Sequence, residues 1–322
     1  MELTFRALDE PEPGERWRAH FRGAWPGYRE WFLRDGTRAR PSYLACERAL
    51  REHMPELVPT WEKLVALAGD GDVAARCLAL WCPPPFFSAC SQAVSGGVLV
   101  RNYDYAASLC EAVLWRTSWL RPVIAMGDCL WGALDGMNDA GLAASLAFGG
   151  RQQVGEGFGI PLVLRYLLEV CCTVDEATAV LARMPVHMSY NLTLLDARGD
   201  FVTAYLAPDR APVLRPLPCA TNHQGTVEWQ AHADITGTVE REAFLAARLA
   251  DPSESTERLV ERFAEEPLFW RGYARGWGTL YTSVYRPTDQ RMELRWPTER
   301  WHMGFADFTE RTLVVRYPFA PA

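Results

Sequence analysis

The chain has little lysine and no long apolar run. Among its 322 residues are 33 lysines and arginines, yet Lys63 is the only lysine, and the formal net charge is −7. No basic block alternates with aromatic residues, as nucleic-acid binders usually require, so we expect no nucleic-acid partner. The first thirty residues contain no apolar stretch of the length that a signal peptide or a membrane span needs. We therefore expect a cytoplasmic protein with no membrane partner.

The sequence also lacks the patterns of several common sites. It has no HExxH, GxSxG, P-loop or EF-hand pattern. Its nine cysteines form no CxxC pair and have no partners at zinc-binding spacing, which favours reduced thiols. The glycine-rich segment 155–159 could cradle a phosphate, but it lacks GxGxxG spacing, which favours a flexible loop. We expect no metal and no organic cofactor.

Three consecutive prolines, at 83–85, divide the hydrophobic pattern of the chain. Apolar and aromatic residues between 15 and 82 follow the spacing of helices, and the prolines cannot continue a helix. Beyond them the period changes to two, with predicted strands at 90–94, 98–105, 113–120, 123–126, 142–148, 192–196, 201–206, 279–286 and 292–296. Predicted helices lie at 161–171, 174–184, 239–250 and 256–265. The pattern indicates a helical N-terminal region, 1–89, followed by an α+β region, 90–322.

The first two predicted strands form a hairpin, because two apolar runs are joined by Ser95-Gly96-Gly97. Cys90 begins the first strand of this hairpin, and Arg101 and Asp104 lie on the second. Residues three apart on a strand point to opposite faces. We therefore predict that the strand bends here or uses the arginine and the aspartate differently.

Four polar motifs follow one another through the predicted strands. They are Cys90 with Arg101-Asn102-Tyr103-Asp104, then Asp135-Gly136-Met137-Asn138-Asp139-Ala140-Gly141-Leu142, Tyr190-Asn191-Leu192-Thr193, and Ala220-Thr221-Asn222-His223. Their order and spacing resemble the choloylglycine hydrolase and isopenicillin N acyltransferase families over residues 90 to about 297. The resemblance implies a four-layer αββα sandwich of the N-terminal-nucleophile hydrolase type, here with an added helical N-terminal segment. It also implies cleavage or transfer of acyl groups at amide bonds.

Cys90 is the expected nucleophile. A thiol attacks a carbonyl only after losing its proton, and the α-amine of an N-terminal cysteine, with a pKa of about 7.7 to 8.0, is a suitable base. That amine exists only if the Ala89-Cys90 bond is broken. The resemblance implies self-cleavage at this bond, with residues 1–89 retained as a bound subunit. We predict an autoproteolytic amidohydrolase or acyltransferase that binds a small N-acyl amide and forms a Cys90 thioester.

The resemblance assigns roles to further residues. The catalytic set is Cys90, Arg101, Asp104, Asn138, Asn191 and Arg241, and the site-supporting set is Asn102, Asn222 and His223. A guanidinium beside the thiol favours the thiolate, and a carboxylate can orient the amine. Asn191 and Asn138 are expected to donate N–H groups to the oxyanion of the tetrahedral intermediate.

Two other readings of the sequence stay open. One is a papain-like enzyme in which His223 or His187 is the base and no cleavage occurs. The other is a noncatalytic binding protein on the same fold, with the helical region as a covalently attached lid. The first hairpin is shorter than in bile-salt hydrolases, so bile-salt specificity is not inferred. The one protein partner that the sequence leaves open is a further copy of this chain, in a homo-oligomer.

Overall fold

The computed structural model describes residues 2–69 and 71–317. Residues 1 and 70 of the predicted region 1–89, and residues 318–322 of the predicted region 90–322, lie outside the described residues. The helices are α1 (Glu15–Phe32), α2 (Tyr43–His53), α3 (Val58–Leu67), α4 (Asp72–Leu78), α5 (Ile160–Val170), α6 (Val174–Leu181), α7 (Gln230–Thr236), α8 (Thr238–Leu249) and α9 (Thr256–Arg262). The strands are β1 (Glu2–Asp9), β2 (Ala89–Ser95), β3 (Val98–Tyr105), β4 (Val113–Ser118), β5 (Pro122–Asp128), β6 (Gly132–Asn138), β7 (Ala143–Phe148), β8 (Tyr190–Leu195), β9 (Phe201–Ala207), β10 (Arg210–Arg215), β11 (Cys219–Ala220), β12 (Gly278–Arg286), β13 (Arg291–Arg295), β14 (Arg300–Gly304) and β15 (Arg311–Arg316).

The strands form two sheets that pack face to face. The large sheet has the order β10-β9-β8-β7-β6-β5-β4-β1-β15, and the small sheet has the order β11-β2-β3-β12-β13-β14. Neighbouring strands are antiparallel, except that β1 runs parallel to β4. Strands β2 and β3 of the small sheet contact β7 and β8 of the large sheet. A residue on the inner face of either sheet is therefore shielded from solvent by the other sheet.

Helices cover both outer faces of this pair of sheets. Helices α5 and α6 lie on the large sheet, and α8 lies on the small one. Apolar side chains of β3 meet those of α8 and α9 in a second core, formed by residues such as Val98, Val100, Leu245, Leu259 and Phe263. The predicted α+β sandwich of four layers, αββα, is confirmed.

Helix α5 is buried on almost every side, from Ile160 to Glu169. The large sheet covers one side of α5. The N-terminal region packs against another side, where the Tyr166 hydroxyl donates to Glu56 Oε2, between α2 and α3, across 2.7 Å. Its residues therefore read as a nearly continuous apolar run. Among the described residues, no helix is both long enough and apolar enough to cross a membrane.

The N-terminal region contains the four helices that the 15–82 pattern predicts, but its first element is a strand. Strand β1 lies inside the large sheet, between β4 and β15. Phe5 of β1 is fully buried, with its ring against Tyr281 and Trp296. The expectation of a purely helical segment therefore needs correction for residues 2–9. The local pattern could not reveal this strand, because its partner β15 lies at the other end of the chain.

The predicted hairpin is present as β2 and β3. Its turn places Gly96 and Gly97 at φ values of 53° and 76°, in the left-handed region that glycine adopts without steric cost. Strand β2 begins at Ala89, one residue before the predicted start, and Ala89 pairs with Asp104. The bond between Ala89 and Cys90 thus lies inside a paired strand.

Candidate active site

Cys90 lies on the inner face of the small sheet and is fully buried. It pairs with Tyr103 of β3, so the two side chains share this face. Ser88 precedes it on the chain, with its Oγ 4.0 Å from Cys90 Sγ. Phe87 packs on Phe148 at a ring distance of 5.2 Å. In the continuous chain, the segment before Cys90 therefore closes off the thiol.

Arg101 holds the thiol from the same face. Its Nη2 donates to Cys90 Sγ across 3.1 Å, and its Nε donates to Leu146 O across 2.8 Å. Its Nη1 donates to Asp135 Oδ2 at 2.5 Å and to the Tyr281 hydroxyl at 3.1 Å. Arg101 is fully buried. The guanidinium is therefore fixed on three sides with one edge directed at the sulfur.

Asp135 is a site residue that the sequence analysis did not single out. Its carboxylate accepts hydrogen bonds from the hydroxyls of Tyr281 and Tyr285 as well as from Arg101. A buried guanidinium needs a buried counter-charge, because an isolated charge is costly in a protein interior. Its place at the start of the second polar motif was the available signal.

Asn138 lies away from the thiol, which corrects the expectation that it donates to the oxyanion. It is three residues from Asp135 on β6, so it faces the opposite side of the large sheet. Its Nδ2 donates to Leu168 O and Cys171 O, at the end of α5, and its Oδ1 accepts from Leu142 N. All of these bonds secure the end of a helix and the turn after β6.

Asp104 and Arg241 meet on the other face of the hairpin. Asp104 Oδ1 accepts from the Thr279 hydroxyl at 2.6 Å, and its Oδ2 lies 3.4 Å from Arg241 Nη1. Arg241 Nη1 also donates to Cys90 O and to Ser91 Oγ, both at 2.7 Å. The prediction that β3 uses Arg101 and Asp104 differently is confirmed, since one contacts the thiol and the other faces the backbone-binding arginine.

Asn222 contacts the nucleophile residue directly. Its Oδ1 accepts from Cys90 N at 3.0 Å and from Arg241 Nη2 at 2.8 Å. Its Nδ2 donates to Phe148 O at 3.0 Å. The backbone nitrogen that a cut before Cys90 would turn into an amine therefore already has a side-chain acceptor.

Asn191 is near the site, but both of its donor hydrogens are engaged elsewhere. Its Nδ2 donates to Thr221 O and to His223 O, each at 2.9 Å, and its Oδ1 accepts from Gln224 Nε2. These bonds hold the turn that carries Asn222. The geometry supports a positioning role, so the expected donation from Asn191 to the oxyanion is corrected.

The other two site-supporting residues, Asn102 and His223, are directed away from the Cys90 sulfur. Asn102 donates from Nδ2 to Phe263 O and Leu268 O, and thus ties β3 to the segment after α9. His223 lies between Thr238 Oγ1, at 3.1 Å from its Nδ1, and Glu242 Oε2, at 2.9 Å from its Nε2. Both residues secure the elements around Cys90 and neither contacts its sulfur.

The histidines do not form the pair that a papain-like site needs. His187 is fully buried, with Nδ1 at 3.2 Å from Phe158 O, and burial lowers the pKa of its ring to about 3. Within residues 2–69 and 71–317, the polar contacts of Cys90 Sγ are to Ser88 and Arg101, and neither is a histidine. The described geometry therefore does not favour that alternative.

The surroundings of the Cys90 thiol shift its pKa in opposite directions. Burial raises the pKa of the Cys90 thiol, Arg101 lowers it, and Asp104 raises it. Burial also raises the pKa of the Asp104 carboxyl, against the lowering effect of Arg241. In the continuous chain the pKa of the thiol is raised overall, because burial outweighs the effect of Arg101.

Two mainly antiparallel sheets packed between helical layers, with a cysteine at the start of an inner hairpin, define the N-terminal-nucleophile hydrolase fold. Within that class, the chain belongs to the family described as acyl-coenzyme A:6-aminopenicillanic acid acyl-transferase, whose model matches residues 92–301. No curated protein matches the sequence.

Several solved structures are similar to this chain at low identity. A mutant of conjugated bile acid hydrolase from Clostridium perfringens has 10% identity, covers 73% of this chain and 99% of its own, and has a TM-score of 0.42. Penicillin V acylase from Agrobacterium tumefaciens has 14% identity, coverage of 68% and 86%, and a TM-score of 0.43. The Caenorhabditis elegans ortholog of N-acylethanolamine-hydrolyzing acid amidase has 13% identity, coverage of 71% and 100%, and a TM-score of 0.44.

Proposed function

We propose that this protein is a self-processing cysteine amidohydrolase or acyltransferase that acts on an N-acyl amide through a Cys90 thioester. The observation that carries the proposal is that the two reactive atoms of Cys90, its sulfur and its nitrogen, are each held by a different side chain. Its sulfur lies 3.1 Å from Arg101 Nη2, and its nitrogen lies 3.0 Å from Asn222 Oδ1. A nucleophile and a neighbouring amine are the two groups that this chemistry requires.

The first reaction is cleavage of the chain. Cys90 Sγ loses its proton and bonds to the carbonyl carbon of Ala89; the bond from that carbon to Cys90 N then breaks, and the nitrogen takes up a proton. Water hydrolyses the resulting thioester, which leaves a carboxylate on Ala89 and a free thiol and α-amine on Cys90. Arg241 binds Cys90 O at 2.7 Å and so keeps the backbone in place during this exchange.

Turnover uses the groups that cleavage produces. The α-amine removes the thiol proton, the thiolate attacks the substrate carbonyl, and the tetrahedral intermediate expels the amine, which leaves protonated. Arg101 favours the thiolate, because a nearby positive charge stabilises the anion. Water or an acceptor amine then attacks the thioester, which gives hydrolysis or acyl transfer.

Asn222 is our candidate for the oxyanion donor. An amide nitrogen carries two N–H groups, and the contact with Phe148 O uses one of them. Asn191 has used both of its own. A single donor of this kind contributes about 2.7 to 4 kcal/mol to lowering the barrier.

The intact mass of the purified chain tests the proposal. The wild type should give two fragments that meet at Ala89 and Cys90, and Cys90→Ala should stay at full length. Cys77→Ala is the matched control, since Cys77 is also a buried cysteine but lies on α4. This variant should process like the wild type.

An acyl-enzyme gives the second readout. Incubation of the processed enzyme with an N-acyl amide should add the mass of the acyl group to the fragment that begins at Cys90. A wild-type chain that stays full-length after prolonged incubation, and whose Cys90 takes up no acyl group, would contradict the proposal and favour a binding protein on this fold.

A further inference from the structure

A cavity lies at the open end of the β2–β3 hairpin, where β2 begins near Cys90 and β3 ends at Tyr105. Its volume is about 550 Å³, and it lies between helix α1 and the segment that follows β3. Its aromatic walls are Tyr28, Trp31, Phe86 and Tyr105. The carboxyl of Asp128, at the end of β5, also lines it. Arg6, His20 and Glu111 line it as well, and Glu111 is bound by His20 at 2.6 Å. Among the described residues, Asp128 is therefore the carboxyl of this aromatic-walled cavity that no basic side chain contacts.

The cavity lies along the same inner face as the thiol. Tyr105 follows Tyr103 by two residues on β3, so both point to that face, and their rings are 5.4 Å apart. Tyr103 is the pairing partner of Cys90. Two residues of strand span about 7 Å, so the cavity lies within the length of a short acyl chain from Cys90.

Asp128 is available to a cationic ligand. It is 8% exposed, and its recorded partners are the Tyr28 hydroxyl at 3.3 Å and the Cys129 thiol at 3.8 Å. In the part of the chain that the structure describes, no arginine, lysine or histidine pairs with it. The nearby ring of His20 is directed to Glu111 instead, with 2.6 Å between Nε2 and Oε2.

Phe86 covers two polar groups that have no partner among the described residues. Its ring lies 5.9 Å from that of His187 and 6.3 Å from that of Tyr190. His187 Nε2 and the Tyr190 hydroxyl are both buried without a hydrogen bond. His187 Nδ1 faces a carbonyl oxygen, which makes it the protonated nitrogen and leaves Nε2 as an acceptor.

These groups call for a ligand that donates hydrogen bonds. Asp128 and His187 Nε2 are acceptors, a hydroxyl such as that of Tyr190 can also accept, and aromatic faces attract cations. Burial, followed by the proximity of Cys129, Asp128 and Tyr105, raises the pKa of the Tyr190 hydroxyl, which keeps it uncharged beside Asp128.

From this arrangement we infer that the cavity binds the acyl arm of the substrate, and that this arm ends in a protonated amine held by Asp128 between aromatic side chains. The inference rests on the proposed function for the attachment of the acyl group to Cys90. In the continuous chain, Phe86 lies both at the cavity and against the rings of His187 and Tyr190. Cleavage before Cys90 would place Phe86 three residues from a new chain end.

Binding of a small amine tests the pocket without any turnover. Calorimetry above pH 8, where Asp128 with its pKa of about 7 is ionised, compares three ligands on the full-length Cys90→Ala variant. They are 4-phenylbutylamine and two compounds of the same shape, 4-phenylbutan-1-ol and 4-phenylbutanoate. We expect the amine to bind at least tenfold more tightly than the alcohol, and the carboxylate to bind least. Equal affinities of the amine and the alcohol would overturn the inference.

Asp128→Asn in the same background should remove the preference for the amine, while Asp209→Asn should retain it. Asp209 is the matched control, because it is paired with Arg151 at the surface. An Asp128→Asn protein that still prefers the amine would also overturn the inference. The comparison of the three ligands decides the question by itself if Asp128→Asn does not fold.

Turnover then tests whether the pocket serves the acyl arm. The processed enzyme should show at least a tenfold higher kcat/KM for 6-aminohexanoyl 4-nitroanilide than for hexanoyl 4-nitroanilide, mainly through KM. Equal values for the two anilides would overturn this assignment while leaving the proposed function intact. Selective amine binding by a chain that never processes would leave the pocket in place and contradict the proposed function alone.

Discussion

Arg101 of β3 and Asp135 of β6 join the two sheets through a buried ion pair, with 2.5 Å between Nη1 and Oδ2. The same guanidinium donates to Cys90 Sγ. The pair therefore links the stability of the sandwich to the ionisation of the nucleophile, and the two effects can be separated by mutation.

Arg101→Gln should destabilise the fold by about 3 to 5 kcal/mol, because it leaves Asp135 buried without a counter-charge. It should also stop processing. The double variant Arg101→Gln, Asp135→Asn carries no unpaired charge and should recover most of the stability, as measured by urea unfolding. We expect it to remain unprocessed, because the thiolate still lacks its guanidinium. Processing of the double variant at the wild-type rate would show that Arg101 has only a structural role.

Asn222→Ala should lower kcat of the processed enzyme by about 100-fold to 1000-fold, the usual cost of losing an oxyanion donor. Asn191→Ala should lower the free energy of unfolding by about 1 to 3 kcal/mol, because it leaves the carbonyls of Thr221 and His223 without donors. Asn138→Ala is the control and should affect stability alone. A larger loss of kcat in Asn191→Ala than in Asn222→Ala would reverse the two roles.

The fragment 1–89 should stay bound after cleavage, because β1 pairs with strands on both of its sides. Size-exclusion chromatography of the processed protein should give one peak that contains both fragments. Phe5→Ala should weaken this association by about 3 to 5 kcal/mol, the usual cost of removing a buried aromatic side chain. Val314→Ala, at a half-exposed position on β15, should leave it unchanged. Separation of the wild-type fragments without denaturant would contradict this prediction.

Asp128 should make stability depend on pH. Burial, followed by the proximity of Glu111, raises the pKa of Asp128 from 3.8 to about 7. Between these two values the folded chain keeps a proton that the unfolded chain releases, so the free energy of unfolding falls as pH rises through this window. The Asp128→Asn variant has no carboxyl at this position, so its free energy of unfolding should not fall in this way.

Melting temperatures of the wild type and Asp128→Asn, measured from pH 5 to pH 8, test this sign. The lower limit avoids the window of Glu111, whose pKa is lowered from 4.5 and whose stabilising contribution is lost in acid. The two proteins should melt closest together at pH 5, and the variant should melt at least about 4 °C higher at pH 8. A wild type that gains stability relative to the variant as pH rises would contradict the assignment.

Local sequence patterns were sufficient for the hairpin, the outer helices and the position of Cys90, since each depends on residues near one another in the chain. The strand at Glu2–Asp9 was not predictable in this way, because its partner β15 is at the far end of the chain. Asn138 and Asn191 were assigned by motif, whereas hydrogen-bond geometry decides which asparagine has a free donor. Asp135 was quoted in a motif but given no role, because its contact with Arg101 comes from the other sheet.

The pairing of β1 with β15 also bears on when the protein becomes active. Strand β1 pairs with β15, which lies far away in the sequence, and Cys90 N is bound by Asn222, 132 residues later in the chain. A truncated product lacks the partners that hold Ala89 and Cys90 in place. Self-cleavage would thus depend on segments far apart in the chain having folded together, and a chain cut short before Asn222 would remain uncleaved.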